Sequence, residues 1–324
     1  MRIAVFGCGS IGRRHLRNLR ALGHDDLCAF DPDPRAARSA RDESGADCSG
    51  NVEDLWALRP DVALIASPSD LHVQLAQEAA DRGCHLFIEK PVSHNLDGLE
   101  RLEGTVRARG LKTMVGCNMR FHPGPATVKQ LLHERAIGEP IAARIETGSF
   151  LPRWHPWQDY RESYSASPES GGAILDCIHE IDLALWYFGP GRVLAAAHVP
   201  ARAIELTTDG LAEMLLAHDS GTLTSVHLNF VQRDYHRRCH VIGSAGTLYW
   251  DINKRRVDTY DGDGTLARSY EEPAGWDTNT MYMDELAHFL EAVRSGVDTM
   301  NPLAGGISAL RVALDARHAG GADR

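Results

Sequence analysis

"RIAVFGCGSIGRRHLRNLRALG" (residues 2–23) runs from a short apolar segment through a glycine-rich turn into a stretch whose Leu16, Leu19 and Leu22 recur at helical spacing, closed by Gly23. The reading is strand, turn, helix. A second strand-like run, "LCAFD" (27–31), follows and ends in an acid. Gly7, Gly9 and Gly12, with Ser10 and Ile11 among them, satisfy G-x-G-x-x-G between a strand and a helix, the context that gives the pattern meaning. Glycine there permits a tight turn and lets a pyrophosphate approach the helix N-terminus, whose dipole favours its charge. Asp31 falls where a carboxylate can accept hydrogen bonds from the adenosine ribose hydroxyls and would repel a 2′-phosphate. NAD is therefore the expected cofactor, with NADP kept possible by Arg35, four residues on. Without the strand, helix and acid, the glycines would only close a turn.

Outward from this stretch the pattern repeats: "DVALIAS" (61–67), a helix over 71–83, "HLFIE" (85–89), a helix over 96–110 and "KTMVGCN" (112–118). Strands alternating with helices imply a doubly wound parallel sheet, an α/β unit. Near residue 120 the character changes to strand-like runs joined by turns such as "HDSGT" and "GSAGT", with one long helix at roughly 171–188 and two near 280–295 and 302–317. These predict antiparallel hairpins in a second, α+β domain. The boundaries are drawn as 1–120 and 121–324.

Bulk numbers fit that division. A chain of 324 residues is long for one core, and 43% hydrophobic with 24% charged residues is ordinary for a globular protein. The net charge of -10 argues against a nucleic-acid binder, which needs basic faces to release counterions, and points to a small-molecule partner. No run approaches the ~20 apolar residues of a membrane span. The chain enters its first strand without the apolar segment of a secretory signal, and its seven cysteines are scattered and never in C-x-x-C, so a reducing cytoplasm is expected.

Lys90, in "LFIEKPVS" (86–93), is one of only four lysines. It stands at the end of a predicted strand, before a proline that holds it out of helical geometry. Ligands lie at the C-terminal ends of parallel strands, and an ammonium, unlike a guanidinium, can lend its proton when its surroundings lower its pKa. A surface pair with Glu89 is the plainer alternative. In "GGAILDCIHEIDLALWYFG" (171–189), Asp176, His179 and Asp182 recur every three residues in an otherwise apolar helix, so all three are expected on one face, toward a cleft. A satisfied core histidine is the plainer reading of His179. No other His or Cys cluster accompanies it, and no metal is expected. The stretch 151–172, rich in Trp, Tyr, His and Arg without periodicity, suits either a carbohydrate or a subunit contact; Trp154, Trp157, Arg161 and Tyr164 are its candidate substrate contacts.

"AVFGCGSIGRRH", "ASPSDLH", "IEKPVS", "GCNMRFHP" and "GGAILDCIHEIDLALW", in that order, resemble the glucose-fructose oxidoreductase and inositol dehydrogenase family, Gfo/Idh/MocA. The resemblance implies a Rossmann domain and a C-terminal, substrate-binding domain whose open, largely antiparallel sheet often forms an oligomer interface, hence a homo-oligomer, dimer or tetramer. It implies hydride transfer between nicotinamide and a hydroxyl-bearing carbon of a sugar, sugar derivative or cyclitol. Lys90 matches the catalytic lysine, His179 the histidine that works on the substrate hydroxyl, and Asp182 a structural acid. Ser67, Pro68, His72, Glu89 and Asn118 match positions lining the cofactor, and Arg120 is a nearby substrate candidate. One departure stands out: Asp176 precedes His179 by three residues where many members have four, which makes its catalytic role the less secure. NADPH-linked reduction of a keto-sugar, glycoside cleavage through transient oxidation, and a nicotinamide-binding sensor without turnover are the competing expectations.

Overall fold

The computed structural model describes residues 1–154 and 159–320. They form two compact units, Met1–Asn118 with Asp277–Ile307, and Met119–Trp276 with Ser308 onward.

In the first unit six strands, β1 (Ile3–Phe6), β2 (Leu27–Phe30), β3 (Asp47–Ser49), β4 (Val62–Ile65), β5 (His85–Glu89) and β6 (Thr113–Gly116), pair in parallel in the order β3-β2-β1-β4-β5-β6. The strand residues of β1, β4 and β6 are buried throughout, as a sheet covered on both faces requires. Helices α1 (Ser10–Ala21), α2 (Pro34–Ser44), α3 (Val52–Ala57), α4 (His72–Asp81) and α5 (Leu99–Arg109) connect them. Two of these, α2 and α3, and the short β3 are absent from the sequence reading, because Ala, Arg and Ser in 34–44 leave little apolar periodicity. Their caps were nonetheless written in the sequence: Asp33 accepts from the Arg35 N–H and Asn51 from the Glu53 N–H.

The first unit is completed by a segment from far along the chain. The helix Thr278–Ser295 packs on α1 and β6, with Phe289 edge-on to Phe87 at 5.6 Å. Asn301 donates to the Val115 carbonyl and Thr299 to that of Thr113. Residues 277–307 thus belong with the parallel sheet, although the division at 120 assigns them to the other domain.

The second unit holds eight strands: β7 (Pro140–Phe150), β8 (Gly191–Pro200), β9 (Asp209–His218), β10 (Leu223–Asn229), β11 (Val231–Gly243), β12 (Thr247–Asp251), β13 (Arg256–Tyr260) and β14 (Leu266–Glu271), in the order β14-β13-β12-β11-β7-β10-β9-β8. All neighbours are antiparallel except β7 and β10, which run parallel, so the sheet is mixed. One face, with Ile145, Val226, Val241 and Trp250, is buried under α6 (Pro123–His133) and α8 (His179–Phe188). The expected single helix over 171–188 is two: α7 (Ala173–Asp176) ends at Cys177, whose φ −93° and ψ 32° leave the helical region, and α8 begins at His179. Asp176, His179 and Asp182 therefore do not share one helical stripe.

Buried charge fixes α8. Arg120, in the 3-10 turn Asn118–Phe121, donates twice to Asp182, Nε to Oδ2 at 2.8 Å and Nη2 to Oδ1 at 2.7 Å; Arg237 of β11 meets Glu180 at 2.6 Å. His122 caps α6, its Nδ1 accepting from the Gly124 N–H at 3.1 Å, and its ring sits between Trp250 and Trp276.

Removing one partner of a buried pair strands the other's charge, so Arg120→Ala should lower the unfolding free energy by about 3–5 kcal/mol in urea titrations. A pH series tests His122. Burial, with the Arg237 and Arg255 charges, pushes its imidazole down to about 4. A depressed value favours the folded state above the ordinary histidine range, and the benefit is lost as pH falls from about 6.5 toward 4. His122→Asn keeps a capping oxygen and cannot titrate; its loss of stability over that window should be smaller than the parent's by about 3 kcal/mol.

Candidate functional site

The glycine loop of the first unit is shaped for close approach. Gly7 has φ +98°, and a β-carbon there would lie 2.6 Å from the Ala66 carbonyl oxygen. One at Gly12 would overlap the Gly7 carbonyl, so α1 can seat on β1 only without a side chain at that position. Gly9 faces open space, and it precedes a helix whose first turn has neither a side-chain cap nor an acid. Its leading N–H groups are what a pyrophosphate would meet.

Asp31 follows β2 directly and is held in place. Its Oδ2 accepts from the Cys8 N–H at 2.7 Å and its Oδ1 from the Asp33 N–H at 2.9 Å. The acid is thus hydrogen-bonded to the glycine loop itself, and each oxygen keeps a lone pair for a ribose hydroxyl. Arg35, which the sequence leaves as a possible 2′-phosphate partner, lies against the Asp33 carboxylate at 3.4 Å. Glycine cradle and acid together fit NAD.

At the ends of β4 and β5 the expected cofactor residues separate into two groups. Ser67 is half-buried and Pro68 exposed. His72 is not presented to a ligand: buried, it places Nε2 2.8 Å from the Ser67 carbonyl and Nδ1 2.9 Å from that of Pro91, bridging the segments after β4 and β5. Burial lowers its proton affinity against those two contacts, which raise it. Glu89, the last residue of β5, is also turned inward, with Oε1 2.7 Å from His15 Nε2 and Oε2 accepting from the Lys90 N–H at 3.1 Å. Burial opposes its ionisation, but His15 and the neighbouring Lys90 outweigh that and hold the carboxyl below its ordinary range. Lys90 follows the strand, half-buried, with a cis bond to Pro91. Asn118, buried, opens the 3-10 turn after β6. A cavity of about 500 Å³ lined by Trp56, Arg59, Asp61 and Arg82 opens instead beside the N-terminal ends of β4 and β5, the opposite edge from Lys90.

In the second unit Asp176 and His179 are both buried, at the end of α7 and the start of α8. The Tyr164 hydroxyl donates to Asp176 Oδ1 at 2.5 Å, so the aromatic loop reaches the acid. Trp154 Nε1 donates to Ser149 Oγ at 3.1 Å. Arg161, its side chain 49% exposed, pairs with Glu205 at 2.5 Å and Asp159 at 3.6 Å, while buried Arg120 is committed to Asp182 and does not stand as the open substrate contact the sequence suggests. Trp157 lies outside the described residues. Sequence reading missed the pair that sets the Gly171–Gly172 turn before α7: Asp209 accepts from the Ile174 N–H at 2.8 Å and from Arg317 Nη2 at 2.9 Å, and Arg317 also donates to the Glu169 carbonyl at 3.2 Å. The glycine pair was the only local signal. Among the described residues no helix is long and apolar enough to cross a membrane, and no His, Cys, Asp and Glu group could hold a metal ion.

A six-stranded parallel sheet with a glycine cradle after β1 and an acid at the end of β2 defines a dinucleotide-binding fold. Residues 1–117 match the family model described as oxidoreductase family, NAD-binding Rossmann fold, and residues 126–249 match the Gfo/Idh/MocA C-terminal domain. The chain belongs to the Gfo/Idh/MocA family. Inositol 2-dehydrogenase of Burkholderia vietnamiensis is 30% identical, over 98% of this chain and 92% of that protein. The scyllo-inositol 2-dehydrogenase (NAD(+)) of Bacillus subtilis is 26% identical, over 91% and 87%. An oxidoreductase from Agrobacterium radiobacter, solved with NAD+, L-tartaric acid and magnesium, shares the fold with a TM-score of 0.87 at 20% identity, covering 100% of this chain and 97% of that one.

If Asp31 takes the ribose hydroxyls, Asp31→Ala removes those contacts and a repulsive charge together. NAD affinity should fall about tenfold or more, the worth of a charged hydrogen bond, while NADP changes less. Fluorescence titration with both reduced cofactors reads this; tighter NADP binding by the parent protein would overturn the role given to Asp31.

Proposed function

We propose that this chain is an NAD-linked dehydrogenase acting on a CH–OH group of a cyclitol, sugar or sugar derivative. The observation that carries the reading is Lys90 at the C-terminal end of β5, in the same unit as the glycine cradle and Asp31. Ligands of open parallel sheets lie along that edge. The inositol dehydrogenases among its relatives, at 26–30% identity over most of both chains, support the substrate class.

NAD, when bound, supplies the hydride acceptor. The chain's own residues handle everything else. Asp31 orients the adenosine ribose, and the N–H groups after Gly9 take the pyrophosphate. Lys90 accepts the hydroxyl proton as the carbinol carbon is oxidised, and its charge steadies oxygen as negative charge develops there. His179 is proposed to share the proton handling, and Tyr164 fixes the rotamer of Asp176 so that its carboxylate can accept from a substrate hydroxyl. Trp154 and Tyr164 are proposed as contributors to the sugar contact; Arg120 and Arg161 act at one remove, by holding α8 and the aromatic loop.

A homo-oligomer in the cytoplasm is part of this proposal. The uncovered face of the eight-stranded sheet carries Leu215, Leu223, Ile242 and Tyr249, each 37–45% exposed, which supports self-association through that face.

NADH formation at 340 nm with a panel including myo-inositol and scyllo-inositol tests the activity. With the best substrate, Lys90→Met should lose ~10²–10⁴ in kcat, and Lys90→Arg should recover little, since charge is kept but proton release is not. His179→Ala should lower kcat with NAD affinity nearly unchanged. Near-parental turnover in Lys90→Met would leave only a nicotinamide-binding fold.

A further inference from the structure

We propose that His15 is a positioning residue for Lys90, acting through the carboxylate of Glu89. His15 lies on α1, wholly buried, with its ring edge-on to Phe87 at 5.3 Å and to Tyr282 at 6.3 Å. Its Nε2 is 2.7 Å from Glu89 Oε1. An ionised carboxylate only accepts, so the histidine donates. The other carboxylate oxygen is taken by the backbone N–H of Lys90 at 3.1 Å. One carboxylate thus spans two positions, the helix that opens the glycine loop and the residue that carries the amine.

A buried histidine bonded to a buried acid often does no more than pin a helix to a sheet. Two features take this pair further. The acid's second bond ends on residue 90 itself, so whatever orients the carboxylate orients the backbone from which the lysine side chain departs. The acid is also the lysine's neighbour in charge, and the two favour each other's ionised forms. A carboxylate at this depth stays ionised only while it is partnered. Take away the His15 donor and Glu89 takes up a proton; Lys90 then loses an anionic neighbour and its ammonium is less favoured. Other ionisable groups facing the cluster include Arg14 of α1, whose guanidinium lies 4.5 Å above the Tyr282 ring, Tyr282 and Glu285 of the helix Thr278–Ser295, and buried His72 of α4, which feels the Glu89 charge. None of them replaces the His15 bond to Oε1.

The inference rests on Lys90 as the proton-handling group, and its test reads the charge on the amine without turnover, so the two can fail separately. Trace acetylation of the purified full chain with acetic anhydride over a pH series, quantified by peptide mass spectrometry, gives a labelling midpoint for Lys90, with exposed Lys254 as internal reference. In His15→Leu the Lys90 midpoint should move to lower pH by roughly half a unit or more while Lys254 stays in place. His15→Gln, whose amide can donate to Glu89 but cannot titrate, should return it to the parental position. A histidine that only pins the helix would alter access to the lysine, changing the plateau rate and not the midpoint. An unmoved midpoint in His15→Leu, or the same displacement in both variants, overturns the proposal. Should His15→Leu fail to fold, Glu89→Gln serves: it removes the charge at constant shape and should displace the Lys90 midpoint in the same direction, and no displacement there overturns the proposal equally.

Discussion

The first unit depends on a contact that admits no side chain, Gly12 of α1 against the Gly7 carbonyl of the loop it leaves. A β-carbon at that point would force the helix outward, and a close-packed interior has no slack to absorb the shift. Because α1 sits so low, its leading N–H groups gather beside Gly9, the Cys8 N–H reaches the Asp31 carboxylate, and His15, one turn further along, reaches Glu89. The glycine cradle, the anchoring of Asp31 and the His15–Glu89 bond behind Lys90 all follow from one close approach.

In the second unit the organising devices are electrostatic. Glu180 and Asp182 stand in the first turn of α8, where the helix dipole favours acids; Asp182 faces buried Arg120 and Glu180 the largely covered Arg237. Pairs of this kind add little net stability compared with apolar packing, since desolvating both charges offsets most of their attraction. They do define rotation. With two acids on nearly opposite faces of the helix tied to arginines from separate elements, α8 is held against turning about its axis, and His179 at its start keeps one heading. Asp209 and Arg317 do the same for the turn ahead of α7.

How much was legible in the sequence follows from the range of each signal. The glycine loop, Asp31 and the strand before Lys90 are local patterns with a local physical cause, and reading them placed the parallel sheet. The apolar run at 171–188 was legible as helix, but the break at Cys177 was not, because nothing in "LDCIH" forbids a continuous helix. Arg120 looked like a ligand contact because a lone arginine after a strand says nothing about an acid 62 residues on. His72 and Glu89 carry the same ambiguity: their positions were readable, the inward direction of their side chains was not. The parallel pairing of β7 with β10 and the return of residues 277–307 to the first sheet are long-range choices, made by packing, with no local mark.

That return has a consequence for the order in which the molecule can be made. Synthesis delivers the six strands of the first sheet within the first 116 residues, yet the Phe289 that covers Phe87, and the Asn301 and Thr299 that bond along β6, emerge only some 180 residues later. Until then the nascent sheet holds bare apolar surface and unmet polar groups at that edge, the condition in which partly folded chains associate wrongly. Most of the second unit, Met119–Trp276, is made in the interval between the two parts of the first, and its closing segment from Ser308 onward, with the Arg317 that bonds Asp209, comes last of all.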